Sequence, residues 1–178
     1  MKKFELQPTL ENEFIKIQPL KQEDFEAVYL VASNPLIWEQ HPNPDRYKKE
    51  VFETFFKDAM ESGGAFLVFD KQSNMVIGSS RYYELDTDKS SIAIGYTFLA
   101  KDHWGSVYNP ALKKLMIDHA FQFFNSVVFH IGAFNIRSQK AVERLGARKM
   151  SEKEVECYGE ASKLKVLYEI KKYNWNLE

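Results

Sequence analysis

The hydrophobic pattern of the N-terminal third predicts one strand followed by two helices. Residues 14–20 (FIKIQPL) alternate between apolar and polar side chains, which predicts a strand that ends near its proline. Apolar side chains recur at helical spacing over 21–33, and an Asn-Pro pair should stop that helix. The next span, 35–45, contains three prolines and is expected to form an irregular loop. Asp45 should then cap a second helix, from about Arg46 to Ser62.

The middle of the chain predicts three consecutive antiparallel strands. Residues 65–70 (AFLVFD) are mostly apolar, and a four-residue turn separates them from the strand expected at 75–85. A second turn leads to a third strand at 91–99. Gly78 and Gly95 lie inside these strands, where glycine indicates a β-bulge or a close approach of two backbones.

The C-terminal half predicts helices and strands in alternation, closing with a hairpin that turns at 158–160. The expected helices span 107–125 and about 135–146, and the expected strands span 127–133, 147–157 and 163–173. Because a helix connects them, strands 91–99 and 127–133 should be parallel. The element order, β-α-α-β-β-β-α-β-α-β-β, indicates an α/β fold of the mixed, α+β kind. We expect a mostly antiparallel sheet of six to seven strands with about four helices.

Composition and charge narrow the class of protein. A chain of 178 residues suits one domain, and 44% hydrophobic residues are enough for a packed core. The net charge of −1 argues against a nucleic-acid binder. The sequence contains no apolar run long enough to cross a bilayer, and its N-terminus lacks the apolar core of a signal peptide. With one cysteine, Cys157, neither a disulfide framework nor a cysteine metal cluster is expected, and we expect a cytoplasmic protein.

Residues 94–146 are the part of the chain best suited to binding a ligand. They combine an apolar run, a turn-rich loop, an amphipathic helix, a second apolar run and a second helix. A strand–loop–helix–strand–helix unit of this kind places a helix N-terminus beside a strand end. The free backbone amides of that helix and its partial positive charge favour an anionic cofactor.

Two short motifs in this unit carry a family resemblance. The first runs from Ile94-Gly95-Tyr96 to Trp104-Gly105 and Tyr108, and the second is Asn135-x-Arg137-Ser138-x-x-Ala141 followed by Leu145-Gly146. With these two motifs, the chain resembles the Gcn5-related N-acetyltransferase (GNAT) superfamily. The resemblance extends from about residue 10 to residue 173. Within it, the chain is most similar to the Rim-type ribosomal-protein N-terminal acetyltransferases.

The resemblance implies one acetyl-CoA-dependent N-acetyltransferase domain, 1–178, whose central parallel strands splay apart where the cofactor enters. Acetyl-CoA would be the cosubstrate, with its pantetheine arm along the first of these strands and its pyrophosphate at the following helix N-terminus. The cofactor contacts that the resemblance implies are Phe98, Leu99, Ala100, Trp104, Gly105, Ser106, Val107, Tyr108, Asn109, Asn135, Arg137 and Ser138.

Several positions depart from the family pattern. Val107 and Asn109 stand where small residues are usual, and Val107 cannot easily adopt a positive φ. Asn109 could offer a side-chain amide instead, and Pro110 suits the first turn of a helix. Ala93 and Ala111 occupy positions where the family often carries a glutamate, so two familiar carboxylates are absent.

Acetyl transfer needs a base for the amine, a polarised carbonyl and an acid for the leaving thiolate. The resemblance places Ser138 near the sulfur as the acid, although a serine here could instead cap its helix. Asn135 likewise either bonds the pantetheine arm or forms the turn into the helix. A backbone N–H at the strand bulge would polarise the carbonyl. The base stays open between Glu84, His41 and a water relay, and His41 has a suitable intrinsic pKa.

The acceptor side is predicted from one loop and two strands. Trp38 and His41 lie on the proline-rich loop and either form a wall of the substrate site or act as a core plug and a surface histidine. Tyr82 and Tyr96 lie on strands of the cleft and either line the substrate channel or pack in the core. No metal site is predicted, because no HxxxH pattern or carboxylate cluster with ligand spacing occurs in the sequence.

The acceptor amine itself is left open. We expect a protein or peptide N-terminal amine, or a similar amine, as the acceptor. The alternatives are a small-molecule amine, such as a polyamine, an amino sugar or an antibiotic, and a non-catalytic CoA-binding protein. Neither a nucleic acid nor a membrane is expected as a partner. The chain could be a monomer or a homodimer, for which Tyr173 and Trp175 would offer exposed aromatic surface.

Overall fold

An eight-stranded mixed sheet organises the molecule. The computed structural model describes residues 4–157 and 160–175. Its strands are β1 (Leu10–Glu11), β2 (Ile15–Pro19), β3 (Ala65–Asp70), β4 (Val76–Asp86), β5 (Ser91–Leu99), β6 (Ser126–Gly132), β7 (Arg148–Cys157) and β8 (Glu160–Lys171). Their order across the sheet is β1-β2-β3-β4-β5-β6-β8-β7, and each neighbouring pair is antiparallel except β5 and β6. The predicted mixed fold is confirmed. The strand beyond the expected six to seven is β1, whose two residues are too few to show a pattern.

Four α-helices flank the sheet in the described part of the chain: α1 (Phe25–Ala32), α2 (Lys49–Glu61), α3 (Tyr108–Ala120) and α4 (Ile136–Glu143). The loop expected to be irregular contains two 3₁₀ helices, Pro35–Ile37 and Pro44–Tyr47. The prediction that Asp45 caps α2 is wrong. Asn43 caps the second 3₁₀ helix instead, because its Oδ1 accepts the Asp45 N–H at 3.0 Å.

The side chains of β3 show that the sheet separates two hydrophobic clusters. Phe66 and Val68 belong to a cluster with residues of α3 and α4, whereas Ala65 and Leu67 belong to a cluster with residues of α1 and α2. Successive side chains of a strand point to opposite faces. The helices therefore form one layer on each face of the sheet.

The two parallel strands separate after a short stretch of pairing. Residues 91–93 of β5 pair with residues 126–128 of β6, and both strands then continue without pairing to each other in the described structure, β5 to Leu99 and β6 to Gly132. The predicted splay is therefore present. It leaves the facing backbone edges of the two strands apart at this end of the sheet.

A β-bulge in β5 changes which side chains face α3. The register with β4 gains one residue on β5 between Gly95 and Phe98. Tyr96, inside this bulge, has a φ of 52°. Ile94 faces the α3 cluster before the bulge and Leu99 faces it afterwards. The bulge thus shifts the in-and-out alternation of β5 by one residue.

One of the two aromatic residues expected to be exposed near the C-terminus is packed instead. Tyr173 is 73% exposed, but Trp175 packs edge-on against Phe121 and donates from Nε1 to Asp118 Oδ1 at 2.7 Å. Trp175 is therefore a packing residue, and Tyr173 alone of this pair offers free aromatic surface. Residues 158 and 159 of the expected hairpin turn lie outside the described residues. Among the described residues, no helix has the length and apolar character needed to span a membrane.

Candidate active site

Two adjoining cavities lie where β5 and β6 splay. The larger, of about 490 Å³, is lined by the end of β5, the loop before α3, and one face of α4. The smaller, of about 130 Å³, is lined by β5, β6 and the loop before α2. Five residues line both cavities and are called the junction: His41, Thr97, Asn109, Ser138 and Ala141. Ligands in the two cavities would meet at the junction.

The loop between β5 and α3 forms one wall of the larger cavity. Trp104 Nε1 donates to the Leu99 carbonyl at 2.9 Å, and Ser106 Oγ donates to the His103 carbonyl at 2.5 Å. Gly105 has a φ of 65°, in the left-handed region that favours glycine. These contacts fix a tight turn that leaves Trp104, Gly105 and Ser106 in the cavity wall.

The N-terminus of α3 accommodates Val107 without strain. Val107 has a φ of −71°, so the left-handed residue that this loop needs is Gly105. The Val107 side chain is exposed and lies outside the lining of the larger cavity. Tyr108 also lies outside the lining, because its hydroxyl donates to Asp70 Oδ1 at 3.0 Å and holds it toward β3. As an N-cap, Val107 offers no side-chain acceptor to the first amides of α3.

The backbone N–H and C=O groups of Thr97 and Leu99 form the edge of β5 that faces β6. The Ala100 N–H donates to the Ile77 carbonyl on β4 at 2.7 Å, and backbone groups alternate between the two sides of a strand. Phe98 and Leu99 line the larger cavity, but Ala100 does not. Both backbone groups of Ala100 are occupied, since its carbonyl accepts the N–H of residue 103 at 2.9 Å. The cofactor contact of Ala100 therefore stays a prediction that the lining of the larger cavity does not support.

Asn135, and not Ser138, caps α4. Asn135 is buried, and its Oδ1 accepts the Ser138 N–H at 3.1 Å. The alternative in which Ser138 is the cap is therefore wrong, and Asn135 does form the strand-to-helix turn. Asn135 lines the smaller cavity. The Ser138 hydroxyl has no hydrogen-bond partner among the described residues and lies at the junction.

Arg137 joins α4 to the loop before α2. Its guanidinium carbon lies 4.0 Å from the Trp104 ring centroid, and its Nη2 donates to the Ile37 carbonyl at 3.2 Å. Its backbone N–H donates to Gln40 Oε1 at 3.2 Å. Burial lowers the pKa of Arg137, and the nearby Glu39 carboxylate opposes that change. Arg137 thus stacks on a wall of the larger cavity and presents a cation there.

Neither predicted base has the setting of an effective proton acceptor. The Glu84 carboxylate accepts from His130 Nε2 at 2.9 Å, which lowers the pKa of Glu84, and Glu84 does not line either cavity. His41 lies at the junction, where burial, with Arg46 and Arg137 nearby, lowers its pKa to about 3. An efficient general base has a pKa close to the working pH. At neutral pH, however, the Glu84 carboxylate is ionised and accepts a hydrogen bond from His130. The His41 imidazole is neutral and only weakly basic.

Lys113 is a site residue that the sequence predictions miss. It lies on α3, is 6% exposed and lines the smaller cavity, where its Nζ donates to Thr97 Oγ1 at 2.5 Å. Burial lowers the pKa of Lys113 to about 7. A signal was present, because Lys113 shares the helical spacing of Met116, Ile117 and Ala120, which are all buried.

Two of the four predicted substrate contacts are core residues. Trp38 is fully buried and donates from Nε1 to the Ala32 carbonyl at 2.7 Å. Tyr82 is fully buried, and its hydroxyl donates to the Met116 carbonyl of α3. Neither lines one of the two cavities, so their prediction as substrate contacts has no support from the cavity linings. Tyr96 and His41 do line the smaller cavity.

A comparison with protein families decides the class of this fold and site. The sequence matches the family model for the acetyltransferase (GNAT) domain over residues 15–148, which is well over half of the chain. The chain belongs to the GNAT acetyltransferase family. It is therefore an acyltransferase, and acetyl-CoA is its cosubstrate. No curated protein matches its sequence.

Solved structures of GNAT proteins share this fold at low sequence identity. A GCN5-related N-acetyltransferase from Brucella melitensis superposes with a TM-score of 0.80 at 18% identity, covering 95% of this chain and 80% of the other. Mycobacterium smegmatis RimJ in complex with CoA-disulfide gives 0.71 at 13% identity, covering 92% and 85%. A Vibrio cholerae protein assigned as a ribosomal-protein-serine acetyltransferase gives 0.72 at 12% identity, covering 92% and 97%. At identities of 12%, 13% and 18%, these similarities show a shared fold only.

Proposed function

We propose that this protein transfers the acetyl group of acetyl-CoA to a primary amine at the end of a peptide or protein chain. The observation that carries the proposal is the pair of cavities that meet at the junction. The lining of the larger cavity suits a CoA thioester, and the smaller cavity gives an amine access to the same point. Direct transfer needs both reactants in contact at one place.

The larger cavity has features that suit acetyl-CoA. Gly105, Ser106 and the uncapped N-terminus of α3 offer backbone amides and partial positive charge to a pyrophosphate. The edge of β5 that faces away from β4 offers the backbone groups of Thr97 and the N–H of Leu99 to the amides of a pantetheine arm, whereas the Leu99 carbonyl already accepts from Trp104 Nε1. With the arm laid along that edge, the thioester would reach the junction beside the Ser138 hydroxyl.

The junction supplies two of the three chemical requirements of the reaction. Backbone N–H groups at the bulge of β5 would polarise the thioester carbonyl, as donors do in an oxyanion hole. The Ser138 hydroxyl, with no protein partner among the described residues, would donate its proton to the leaving sulfur. The attacking nitrogen forms the C–N bond, the C–S bond breaks, and CoA leaves as the thiol.

The charges around the smaller cavity favour a peptide amine over a polyamine or an aminoglycoside. Its lining contains three basic side chains, Arg46, Lys113 and Lys165, and no carboxylate among the described residues. A polycation would be repelled by this lining, whereas a chain end brings one ammonium group. The volume of about 130 Å³ is also below the roughly 300–1,000 Å³ of sites that enclose whole small molecules. The cavity therefore suits the reacting end of a larger acceptor.

The structural neighbours agree with an acceptor of this kind. The Vibrio cholerae neighbour is assigned as an acetyltransferase of a ribosomal protein, and the Mycobacterium smegmatis neighbour binds CoA-disulfide. Their identities of 12% and 13% limit this support to analogy between folds.

The proposal is tested by incubating the protein with acetyl-CoA and a matched panel of amines, following thiol release and product mass. The panel contains four acceptors. The first is a peptide with a free N-terminus, and the second is the same peptide with a formylated N-terminus and an internal lysine. The other two are spermidine and an aminoglycoside. We expect thiol release with the first peptide and little with the others. Release with spermidine or the aminoglycoside alone would contradict the peptide assignment. The absence of thiol release with every amine of the panel would contradict acetyl transfer itself.

A further inference from the structure

The acyl-transfer scheme above leaves one requirement unassigned, which is the group that deprotonates the incoming ammonium. Among the described lysines and arginines that line the smaller cavity, Lys113 is the most buried, at 6% exposed, and the scheme so far gives it no role. Its aliphatic stem enters from α3, and its Nζ lies 5.7 Å from the Phe129 ring centroid on β6. The amine thus lies in the gap opened by the splay of β5 and β6.

The contact with Thr97 places this amine at the junction. Because the bulge shifts the alternation of β5, the Thr97 side chain points toward α3, and its Oγ1 accepts from Lys113 Nζ at 2.5 Å. Thr97 Oγ1 is also 2.8 Å from the buried Ser80 Oγ. Lys113 Nζ is therefore one hydrogen bond away from a residue that lines both cavities.

The surroundings of Lys113 do not hold it as an ammonium. It forms no ion pair among the described residues, and burial is the cause of its lowered pKa. The titratable and charged side chains that line the same cavity from the neighbouring elements are His41, Arg46, Tyr83, Tyr96, His130 and Lys165. None is a carboxylate. A neutral amine that donates one N–H to Thr97 keeps its lone pair free to accept a proton.

We propose that Lys113 Nζ is the general base, accepting the proton that the acceptor ammonium loses before it attacks the thioester. The neutral acceptor nitrogen then forms its bond to the carbonyl carbon. As the C–S bond breaks, the nitrogen loses a second proton, which reaches the sulfur through the Ser138 hydroxyl. The third proton stays on the amide product, and Lys113 returns its own proton to solvent through the cavity. The inference rests on the proposed acetyl transfer to an amine.

Two substitutions at Lys113 and one control separate a base from a structural amine. Lys113→Met keeps the length and apolar stem without a titrating group, and Lys113→Arg keeps a charge and a donor that cannot act as a base at neutral pH. Lys114→Met is the matched control, because Lys114 is the next residue of α3 and is exposed in a pair with Asp118. For each protein the measurements are kcat and KM across pH 5.5–9.5 (about two pH units either side of neutral), the Kd for acetyl-CoA, and the thermal midpoint.

We expect wild type and Lys114→Met to show kcat rising with pH and levelling above about 7, where Lys113 becomes neutral. Lys113→Met and Lys113→Arg should both lose about 100-fold or more in kcat and lose this rise near pH 7, with the Kd for acetyl-CoA nearly unchanged. The inference is overturned if either variant keeps the wild-type rate and the wild-type pH profile.

If Lys113→Met does not fold, two other measurements decide the matter. Lys113→Arg gives the rate comparison, and a ¹³Cε-lysine NMR titration of the wild-type protein should show one lysine titrating near 7. A titration of every lysine near 10 overturns the inference. An enzyme that releases no thiol with any amine overturns acetyl transfer itself, which is a distinct result from an active enzyme whose rate is insensitive to Lys113.

Discussion

The hydroxyl of Ser138 is available for chemistry because a neighbouring side chain has taken over its structural task. Serine often starts a helix by accepting a backbone N–H, which uses its oxygen and fixes its rotamer. In α4 that acceptor is Asn135 Oδ1, which takes the Ser138 N–H at 3.1 Å. The Ser138 oxygen is consequently left without a hydrogen-bond partner among the described residues, and Ser138 lines both cavities.

Replacing Ser138 by alanine should therefore act on turnover and leave the fold intact. We expect Ser138→Ala to lower kcat about 100-fold, because the leaving thiolate loses its proton donor. The Kd for acetyl-CoA should stay nearly unchanged, since the cap that positions α4 belongs to Asn135. Steady-state kinetics and a CoA titration check this, with Ser151→Ala on the exposed face of β7 as the control. A wild-type kcat in Ser138→Ala would remove Ser138 from the acid role.

Tyr82 illustrates the opposite case, a tyrosine that sequence pattern places in the cleft but whose hydroxyl serves the core. Burial raises the pKa of Tyr82, and its hydroxyl donates to the Met116 carbonyl. We expect Tyr82→Phe to cost about 1 kcal/mol of unfolding free energy, the typical net contribution of one hydrogen bond. Activity per folded molecule should be that of wild type. A denaturant titration together with kinetics checks this, and a changed KM at unchanged stability would restore Tyr82 as a substrate contact.

At the scale of elements, the loop before α3 depends on one residue in the left-handed region. Gly105 and Gly63 form a matched pair, with φ values of 65° and 61° and open space where a Cβ would be. An alanine in this conformation costs about 1 kcal/mol at either position. We expect both substitutions to lower stability alike, but only Gly105→Ala to weaken acetyl-CoA binding, because only Gly105 lines the larger cavity. Calorimetry with acetyl-CoA compares them, and equal affinities would show that this turn does not hold the cofactor.

Elements with a strong local pattern could be predicted from the sequence. The bounds of β3 and β5 are those that apolar runs between turns indicate. Gly78 lies where a Cβ would be 2.0 Å from the Phe98 carbonyl oxygen, as a glycine inside a strand suggests. The incorrect or missing predictions concern positions where local backbone geometry, and not the residue type, determines the contacts. Asp45 lies inside a 3₁₀ helix that Asn43 caps, so it does not start α2, and a bulge that adds one residue determines which groups of β5 face the gap.

At the scale of the whole molecule, the site depends on contacts between distant parts of the chain. The Arg137 N–H meets Gln40 across 97 residues of sequence, which brings the loop that carries His41 against α4. Periodicity reports which face of an element is buried, but not which element covers it. The family motifs could therefore predict the cofactor side. The burial of Trp38, the pairing of Glu84 with His130 and the position of Lys113 required the assembled structure.

The sheet and α2 are joined behind the bulge by a buried ion pair. Arg81 of β4 donates to Asp58 of α2, and its guanidinium carbon lies 3.9 Å from the Tyr96 ring centroid. The Arg81 side chain is 3% exposed, and its Nε and Nη2 have no hydrogen-bond partner in the part of the chain that the structure describes. Asp58 is therefore the carboxylate that balances this charge, and the pair supports the strand segment that reaches the junction.

Removing one member of this pair should cost far more than removing both. We expect Asp58→Ala to lower the unfolding free energy by about 3–5 kcal/mol, because it leaves Arg81 as a buried charge without a carboxylate. The double variant Arg81→Met, Asp58→Leu should recover most of that loss, since apolar side chains of similar size remove the desolvation cost of both charges. Urea titrations of both variants test this, with Asp88→Ala in the exposed turn after β4 as the control. A double variant as unstable as Asp58→Ala would show that the pair is needed as charges. A small loss in Asp58→Ala would show that solvent reaches Arg81.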